Sequence, residues 1–354
     1  MTTFFDARFI RVGAHDGISR FAANLFDKLS KLRPITAIIN DERQLQHLPK
    51  GCEYILECAP TSIRELGLAR RLNKLGASLV YSPMQTTGAL GKKFKLVLTL
   101  HDLIYYRHRR PPREFSFLVR ALWRLYHLSY VPARMLLRKA DALVTISETS
   151  KHLIQSTWLY RGPLEVIYNA SEMVATNGAR QKPSTKKLVY MGSFMEYKNV
   201  ETLIRGMEFL PDFELHLLSA VSADTQARLE AIGAKSSATL VFHNGVSDNE
   251  YRQLLGEAFA LVTASKDEGF GIPLIEAMAL GTPVVCSDIA IFREVAGEAA
   301  HYFEADEPYS FASEVLSLAK NWPKASLTSL KNAERFSWGD SAQKLDALLT
   351  KIVS

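Results

Sequence analysis

The chain has 354 residues, of which 47% are hydrophobic and 23% are charged. At about 150 residues per domain this length predicts two domains, and the composition favours a soluble globular protein over a disordered chain or an integral membrane protein. The N-terminus lacks the basic and apolar pattern of a signal peptide. Three cysteines without a C-x-x-C pair indicate neither a disulfide framework nor a zinc site, so we expect a cytoplasmic protein.

Charge is distributed unevenly along the chain. Residues 1–170 carry 26 Lys and Arg against 13 Asp and Glu, a net charge of +13, whereas residues 171–354 carry 17 against 24, a net charge of −7. In the most basic stretch, 101–140, nine Arg and Lys are interleaved with aromatic residues. A basic half predicts an anionic partner, and a nucleic acid, an acidic membrane and a phosphate-bearing substrate all fit that description.

The first half alternates short apolar runs with longer helical patterns, as parallel sheets with helical crossovers do. Helical patterns cover 18–32 and 115–139, the second as one long helix or two shorter ones. The predicted strands are 3–5, 35–39, 79–81, 96–100 and 142–146.

The second half repeats this alternation after a polar, aperiodic linker at 171–187. Its predicted strands are 188–191, 213–218, 239–242, 260–263 and 284–286, and its predicted helices start at 199 and cover 222–233, 248–256 and 273–280. We therefore expect an α/β protein with doubly wound parallel-sheet domains at 1–170 and 188–335 and a final helix within 336–354. Ligands bind beyond the carboxyl ends of the strands in such sheets, here in a cleft between the domains.

The segment 265–283 carries the sharpest pattern. Glu268 and Glu276 enclose seven residues, among them Gly269 and Gly271. Glycines let the backbone approach a ligand closely, and the start of the following helix offers free N–H groups to a phosphate. We place Glu268 in the turn and Glu276 in the first turn of the helix, where both carboxylates would accept hydrogen bonds from hydroxyl groups. The segment predicts a phosphorylated, sugar-like ligand, although an ordinary turn before a first-turn acid is the alternative.

This segment resembles the E-x(7)-E signature of the retaining glycosyltransferases of family 4 (glycosyl transferases group 1), which have the GT-B architecture of two facing Rossmann-like domains. Further similar blocks follow one another in the expected order, at 5–25, 100–104, 145–148, 189–199, 244–247 and 336–338. The resemblance is mannosyltransferase-like. It implies transfer of a hexose from a nucleotide-diphosphate sugar with retention of the anomeric configuration, and it implies that 336–354 returns to pack on the first domain.

The resemblance also implies roles for individual residues. Glu268 would contact the transferring sugar, His101 would shield its developing charge chiefly through the backbone carbonyl, and Glu276 would hold the ribose hydroxyls. Lys198 would bind the diphosphate beside Asn199, which we expect to cap the next helix. Loss of Glu268 should lower turnover, and loss of Glu276 should weaken donor binding. The implied donor-binding set is Gly17, Gly192, Lys198, Val246, Glu268, Gly269, Phe270, Gly271, Ile272, Pro273, Leu274 and Glu276.

Two positions depart from the family pattern, because Ser193 and Tyr197 stand where many members carry Arg. The usual diphosphate clamp is therefore weaker here, and Lys198 is the cation that remains. On the acceptor side we expect His15, Asp102, Tyr105 and Arg107.

The basic first domain would carry the acceptor site in a GT-B enzyme. We expect Arg and aromatic residues of 105–139 to rest on an anionic membrane, at its cytoplasmic face, and to present a glycan or polyprenyl-linked acceptor. A solvated helix face is the alternative. Vesicle binding that ignores salt and lipid charge would contradict the membrane hypothesis.

No D-x-D motif, H-E-x-x-H motif or His/Cys cluster with ligand spacing occurs in the sequence. We therefore expect no metal and no cofactor, with the leaving-group charge met by Lys198, helix N-termini and backbone N–H groups. The preferred function is mannose transfer from GDP-mannose in cell-surface polysaccharide or glycolipid synthesis. The alternatives are transfer from UDP-glucose, UDP-galactose or UDP-N-acetylglucosamine, a sugar-nucleotide epimerase, and a non-catalytic nucleic-acid binder. We expect no nucleic acid partner, because that last alternative leaves 265–283 unexplained.

Overall fold

The computed structural model describes residues 2–13, 16–109, 116–173, 178, 180–234 and 239–354. The chain divides into two compact units, the first formed by Met1–Asn169 with Ser337–Ser354 and the second by Ala170–Phe336. The predicted fold class is confirmed, since each unit contains a parallel sheet of the Rossmann type.

The first unit is built on a seven-stranded parallel sheet of order β3-β2-β1-β4-β5-β6-β7. Its strands are β1 (Thr2–Asp6), β2 (Thr36–Ile39), β3 (Tyr54–Leu56), β4 (Ala77–Ser82), β5 (Lys95–Thr99), β6 (Ala142–Thr145) and β7 (Leu164–Val166). Its helices are α1 (Gly17–Leu29), α2 (Leu68–Lys74), α3 (Ile104–Arg107), α4 (Phe117–Tyr126), α5 (Val131–Leu137), α6 (Glu148–Ser156) and α14 (Trp338–Val353). The order reverses between β1 and β4, which defines the switch point where such sheets bind ligands.

The second unit is built on a six-stranded parallel sheet of order β10-β9-β8-β11-β12-β13. Its strands are β8 (Lys187–Tyr190), β9 (Glu214–Leu217), β10 (Thr239–Phe242), β11 (Ala260–Thr263), β12 (Val284–Ser287) and β13 (Ala300–Phe303). Its helices are α7 (Val200–Gly206), α8 (Ala223–Gly233), α9 (Asp248–Glu257), α10 (Ile272–Ala279), α11 (Ala290–Ala296), α12 (Pro308–Leu318) and α13 (Trp322–Ala333). The switch point here lies between β8 and β11.

Each unit has its own apolar core. In the second unit Trp322 is fully buried, and its indole Nε1 donates a hydrogen bond of 2.8 Å to the Phe259 carbonyl. In the first unit the C-terminal helix α14 packs on α1, and the rings of Phe21 and Trp338 lie 5.8 Å apart. Ser341 of α14 also donates a hydrogen bond of 2.7 Å to the Tyr168 carbonyl.

Several elements are absent from the sequence prediction. Strand β3 has only three residues, and Tyr54 and Leu56 are exposed at the edge of the sheet, so no buried apolar run marks it. Strand β7 is equally short and contains Glu165. The stretch predicted as one helix or two contains two, α4 and α5, within its described residues 116–139.

Candidate active site

Two charged side chains meet at the switch point of the second sheet. Lys198 lies in a short 3-10 helix that follows β8, and Glu268 lies in the loop that follows β11. The Lys198 Nζ atom is 2.5 Å from Glu268 Oε1, and each side chain is 15% exposed. Ser265 Oγ donates a second hydrogen bond, of 2.9 Å, to the same carboxylate oxygen. Because the carboxyl ends of β8 and β11 are neighbours, residues 70 positions apart become an ion pair at the edge where ligands bind.

The backbone conformation of the turn before α10 requires a glycine. Gly271 precedes the helix with a φ of +96°, and a Cβ at this position would lie 2.9 Å from the Phe292 ring. Only glycine adopts this conformation without strain. Pro273 then falls within the first turn of α10, where its missing N–H costs no hydrogen bond.

The remaining members of this segment divide into buried and partly exposed residues. Phe270 is 3% exposed and packs edge-on against Phe336, whereas Ile272 is partly exposed. Leu274, a member of the implied donor-binding set, has a side chain that is 1% exposed and packs in the core, and its N–H donates to the Gly271 carbonyl.

Glu276 lies just beyond the first turn of α10, whereas the sequence predicts it within that turn. Helix α10 begins at Ile272, so Glu276 is its fifth residue, and its first turn contains no acid. Stabilisation by the helix dipole, which falls off within the first turn, therefore does not explain a residue that is only 7% exposed. Tyr251 of α9, 5% exposed, donates a hydrogen bond of 2.8 Å from its hydroxyl to Glu276 Oε2. The sequence analysis missed Tyr251, because one tyrosine on an amphipathic helix carries no chemical signature.

The loop after β8 differs from the expectation at Asn199. Asn199 precedes α7 but has a φ of +52°, and its side chain makes no capping bond to the helix backbone. Its Nδ2 atom donates instead to the Ala305 carbonyl at 2.5 Å. The Gly192 N–H donates to Ser219 Oγ at 3.1 Å. Tyr197, where Arg is common in the family, places its ring 5.3 Å from the Lys198 ammonium group.

Val246 lies in the loop between β10 and α9 and is partly exposed. Two hydrogen bonds to the segment after β9 hold this loop. The Val221 N–H donates to Asn244 Oδ1, and the Gly245 N–H donates to the Leu218 carbonyl, both at 3.0 Å.

In the first unit, His101 follows β5 and its imidazole has a structural partner. The Nε2 atom lies 2.8 Å from the Pro83 carbonyl, and because a carbonyl only accepts, Nε2 carries the proton. Burial lowers the pKa of His101, against the opposing effect of the Pro83 hydrogen bond, so the ring is neutral at pH 7. Thr145 Oγ1 donates to the His101 carbonyl at 3.4 Å.

The remaining candidates of the first unit lie in the loop before α3, on α3 and at the start of α1. Asp102 Oδ1 accepts a hydrogen bond of 2.9 Å from the Ile104 N–H, which orients the loop before α3. Gly17 is the first residue of α1, whose cap is Asp16. Tyr105 and Arg107 lie on α3 and are exposed. The remaining candidate, His15, lies outside the described residues.

Several aromatic residues of the stretch 105–139 pack against each other. The ring of Trp123 stacks on His127 at 4.0 Å, and the ring of Tyr106 lies 4.6 Å from Tyr130 and 4.9 Å from His127. His127 is 8% exposed. These residues lie between α3, α4 and the start of α5, whereas Tyr105 and Phe117 of the same stretch are 40% and 87% exposed. That Arg and aromatic residues of 105–139 rest on a membrane stays a prediction.

A buried ion network also escaped the sequence analysis. Arg8 donates to both carboxylate oxygens of Asp6 at 2.7 Å and to Glu65 at 2.6 Å, and the Arg8 and Asp6 side chains are fully buried. Burial opposes the charge, but hydrogen bonds and Coulomb attraction from Asp6 and Glu65 outweigh it and raise the pKa of Arg8. The network ties β1 to the segments around Glu65 and Thr87.

Comparison with known families accounts for most of the chain. Residues 50–171 match the sequence profile of Glycosyltransferase Family 4, and residues 176–335 match that of Glycosyl transferases group 1. The chain belongs to glycosyltransferase family 4. It is a hexosyltransferase, and the predicted enzyme class is confirmed.

Two curated relatives of this glycosyltransferase act on mannose according to their names. The O-antigen chain mannosyltransferase RfbU of Salmonella typhimurium is 26% identical over 310 residues, which cover 84% of this chain and 86% of the relative. The GDP-mannose:cellobiosyl-diphosphopolyprenol alpha-mannosyltransferase of Komagataeibacter xylinus is 24% identical over 206 residues, 54% of this chain and 52% of the relative.

A solved structure of similar fold contains a different nucleotide. The structure of Alr3699/HepE from Anabaena in complex with UDP and glucose superimposes with a TM-score of 0.69, covers 99% of both chains and is 16% identical to this glycosyltransferase. At that identity the similarity concerns the GT-B fold alone.

Within the described residues, no group of three or more His, Cys, Asp or Glu side chains is arranged to hold a metal ion. Among the helices of the same part of the chain, none is both long and apolar enough to cross a bilayer.

Proposed function

We propose that this glycosyltransferase moves mannose from GDP-mannose, with retention, to a glycan carried on a polyprenyl diphosphate during assembly of a cell-surface polysaccharide. The two mannosyltransferase relatives support mannose as the sugar, and the name of one of them contains both GDP-mannose and a diphosphopolyprenol acceptor.

The Lys198–Glu268 ion pair at the switch point of the second sheet carries this proposal. Its ammonium group supplies the positive charge that a departing nucleoside diphosphate requires. Its carboxylate is held by Lys198 and by Ser265, so it is positioned before the donor binds. In this proposal Lys198 binds the diphosphate, and Glu268 exchanges its hydrogen bond with Lys198 for hydrogen bonds with the mannose hydroxyls. The N–H groups of Phe270 and Gly271 also contact the mannose.

Glu276 completes the donor site in this proposal. Its carboxylate accepts hydrogen bonds from the two ribose hydroxyls, while the hydrogen bond from Tyr251 holds one carboxylate oxygen in place. The neighbouring loop with Val246 contacts the base through its backbone. Such a contact does not distinguish guanine from uracil by side-chain chemistry.

The proposed transfer needs no protein base and no metal. The bond between the anomeric carbon and the phosphate oxygen breaks, and the acceptor oxygen bonds to the same face of the sugar through an oxocarbenium-like state. The acceptor proton passes to the departing phosphate oxygen. His101 is neutral, and in this proposal its backbone carbonyl faces the sugar.

A UDP-sugar is the second candidate donor, because HepE, a protein of similar fold, has been solved with UDP and glucose. The proposed roles of Lys198, Glu268 and Glu276 apply to either nucleotide. The two candidates therefore differ only in the sugar and the base, which a binding experiment can distinguish.

The test is a panel of GDP-mannose, UDP-glucose, UDP-galactose and UDP-N-acetylglucosamine, each assayed for hydrolysis and for protection against thermal unfolding, before and after treatment with EDTA. A ligand at about 100 times its Kd stabilises the folded state by about 2.7 kcal/mol, which a melting curve detects. We expect GDP-mannose to protect and to be hydrolysed, with release of α-mannose and no effect of EDTA.

Each part of the proposal can fail separately. If only a UDP-sugar protects, the donor is that UDP-sugar and not GDP-mannose. A β-anomer as the first product would contradict retention of configuration. Activity that is lost with EDTA and restored by a divalent ion would contradict metal-independent transfer. Single-stranded DNA is the matched polyanion control, and it should give no protection.

A further inference from the structure

Helix α4 presents its aliphatic side chains to solvent. None of its ten residues, all of which the structure describes, is buried. Leu118, Leu122 and Leu125 are 68%, 58% and 64% exposed, and Phe117 is 87% exposed. The three leucines follow the i, i+4, i+7 spacing of a single helix face. In water such a face normally turns towards the core, so this orientation indicates an apolar partner.

The aromatic residues of α4 explain the orientation. Trp123 and Tyr126 point into the aromatic layer formed with Tyr105, Tyr106 and His127. This layer already fills the space beneath the helix. Turning the leucines inward would require the stacked rings to leave their places.

The apolar surface continues into the next helix. Leu128, Val131 and Met135 are 58%, 53% and 65% exposed. Arg134 of α5 donates hydrogen bonds to the carbonyls of Thr157 and Trp158, which fixes α5 against the segment that follows α6. We call the exposed apolar side chains of α4 and of residues 128–135 the α4–α5 face. Its members are Phe117, Leu118, Val119, Leu122, Leu125, Leu128, Val131 and Met135.

Charge identifies the partner of this face. Residues 116–140 contain Arg120, Arg124, Arg134, Arg138 and Lys139 but no Asp or Glu. By helical geometry Arg124 lies beside Phe117 at the edge of the face, where a long basic side chain can reach headgroups while the leucines enter the acyl region. A second copy of this chain would bring the same positive charges together, and an acidic protein would leave the leucines uncovered. An anionic bilayer matches both properties.

We propose that the α4–α5 face inserts into the surface of a membrane rich in anionic lipid, with α4 lying in the membrane plane. Burial of the leucines contributes binding free energy that salt does not remove. The arginines contribute an attraction to anionic lipid that salt weakens. This mode differs from attachment by charge alone, which salt would abolish. The proposal does not depend on the identity of the donor, because vesicle binding is measured without a nucleotide sugar.

The test is co-sedimentation of the full chain with vesicles of phosphatidylglycerol and phosphatidylethanolamine or of phosphatidylcholine alone, at about 0.1 M and about 1 M salt. We expect binding to the anionic vesicles, little binding to the neutral ones, and a bound fraction that persists at high salt. The variant L118Q/L122Q/L125Q should bind anionic vesicles at least about 100-fold more weakly.

A matched control replaces three leucine or isoleucine residues of the same unit that lie outside the face. Leu56, Ile63 and Leu66 are 60%, 84% and 62% exposed, and L56Q/I63Q/L66Q should bind vesicles as the unchanged protein does. Melting curves with the preferred nucleotide sugar from the donor panel check that both variants are folded and bind nucleotide.

Three results would overturn the proposal. They are equal binding of L118Q/L122Q/L125Q and the control variant, equal binding to neutral and anionic vesicles, and complete release at high salt, which would leave a purely electrostatic attachment. A dimer in sedimentation velocity that L118Q/L122Q/L125Q abolishes, without any vesicle binding, would assign the face to a second copy of the chain instead.

Discussion

The two units of this glycosyltransferase place an ion pair after the strands at the switch point of their sheets, but with different exposure. In the first unit, Asp6 and Arg8 are fully buried and paired with Glu65. In the second unit, Lys198 and Glu268 keep 15% of each side chain exposed. A fully buried pair has all its hydrogen-bonding capacity within the protein, whereas a partly exposed pair can exchange partners with a ligand. On this difference we base the proposal that the first pair has a structural role and the second binds substrate.

The largest effect that we expect for a change in either ion pair is a loss of turnover when Glu268 is replaced. Glu268→Gln keeps the side-chain size but removes the negative charge, so we expect kcat to fall by about 10²–10³-fold because stabilisation of the transition state is lost. The midpoint of thermal unfolding should change little, since the carboxylate is not fully buried. Steady-state kinetics with the preferred donor and a melting curve measure the two quantities.

Glu304→Gln is the matched control for Glu268→Gln. Glu304 is exposed and directly follows β13, at the same edge of the second sheet. Its replacement should leave kcat within about twofold, since isolated surface charges have small effects. If Glu268→Gln behaves like Glu304→Gln, the second ion pair is structural and the comparison fails.

The next effect is on stability and concerns the first ion pair. Arg8→Met should lower the free energy of unfolding by about 3–5 kcal/mol, because Asp6 is left buried without its partner. Urea denaturation measures this change. Donor protection should persist wherever the variant is folded, because the proposed donor residues Lys198, Glu268 and Glu276 belong to the second unit.

Arg43→Met is the control for Arg8→Met, because Arg43 pairs with Asp41 at the surface and its side chain is 74% exposed. This variant should unfold at the same urea concentration as the unchanged protein. A loss of stability below about 1 kcal/mol for Arg8→Met would mean that the buried network is worth no more than a surface pair.

The contrast between the ion pairs also shows how far sequence reasoning extends. The segment 265–283 could be assigned because its glycines, its proline and its two acids each carry a local signal, and the resemblance ordered the other blocks around them. The first ion pair could not be assigned, because Asp6 and Arg8 form a common local pattern and Glu65 is 57 positions away from Arg8. Only the folded sheet brings these three charges together.

The direction in which a helix faces is equally invisible in the sequence. The spacing of Leu118, Leu122 and Leu125 predicts an amphipathic helix but does not say whether the leucines point inward. In the structure the stacking of Trp123 on His127 occupies the inner side of α4, and the three leucines are exposed.

Tyr251 provides the smallest predicted effect and tests whether the second unit's site extends beyond its charged residues. Tyr251→Phe removes the hydroxyl that holds Glu276 while keeping the buried ring, so the donor KM should rise about fivefold to tenfold, as expected for a hydrogen bond to a charged group, with kcat almost unchanged. Combined with Glu276→Gln, the same change should have almost no further effect, because the two residues act through one contact.

The control for Tyr251→Phe removes another tyrosine hydroxyl of the second unit that also donates a hydrogen bond. Tyr302 donates a hydrogen bond of 2.6 Å to the Gly297 carbonyl, and Tyr302→Phe should lower the melting temperature without changing the donor KM. An unchanged donor KM in Tyr251→Phe, or a rise that persists fully in the Glu276→Gln background, would remove Tyr251 from the site. The donor contacts of the second unit would then end at the ion pair and Glu276.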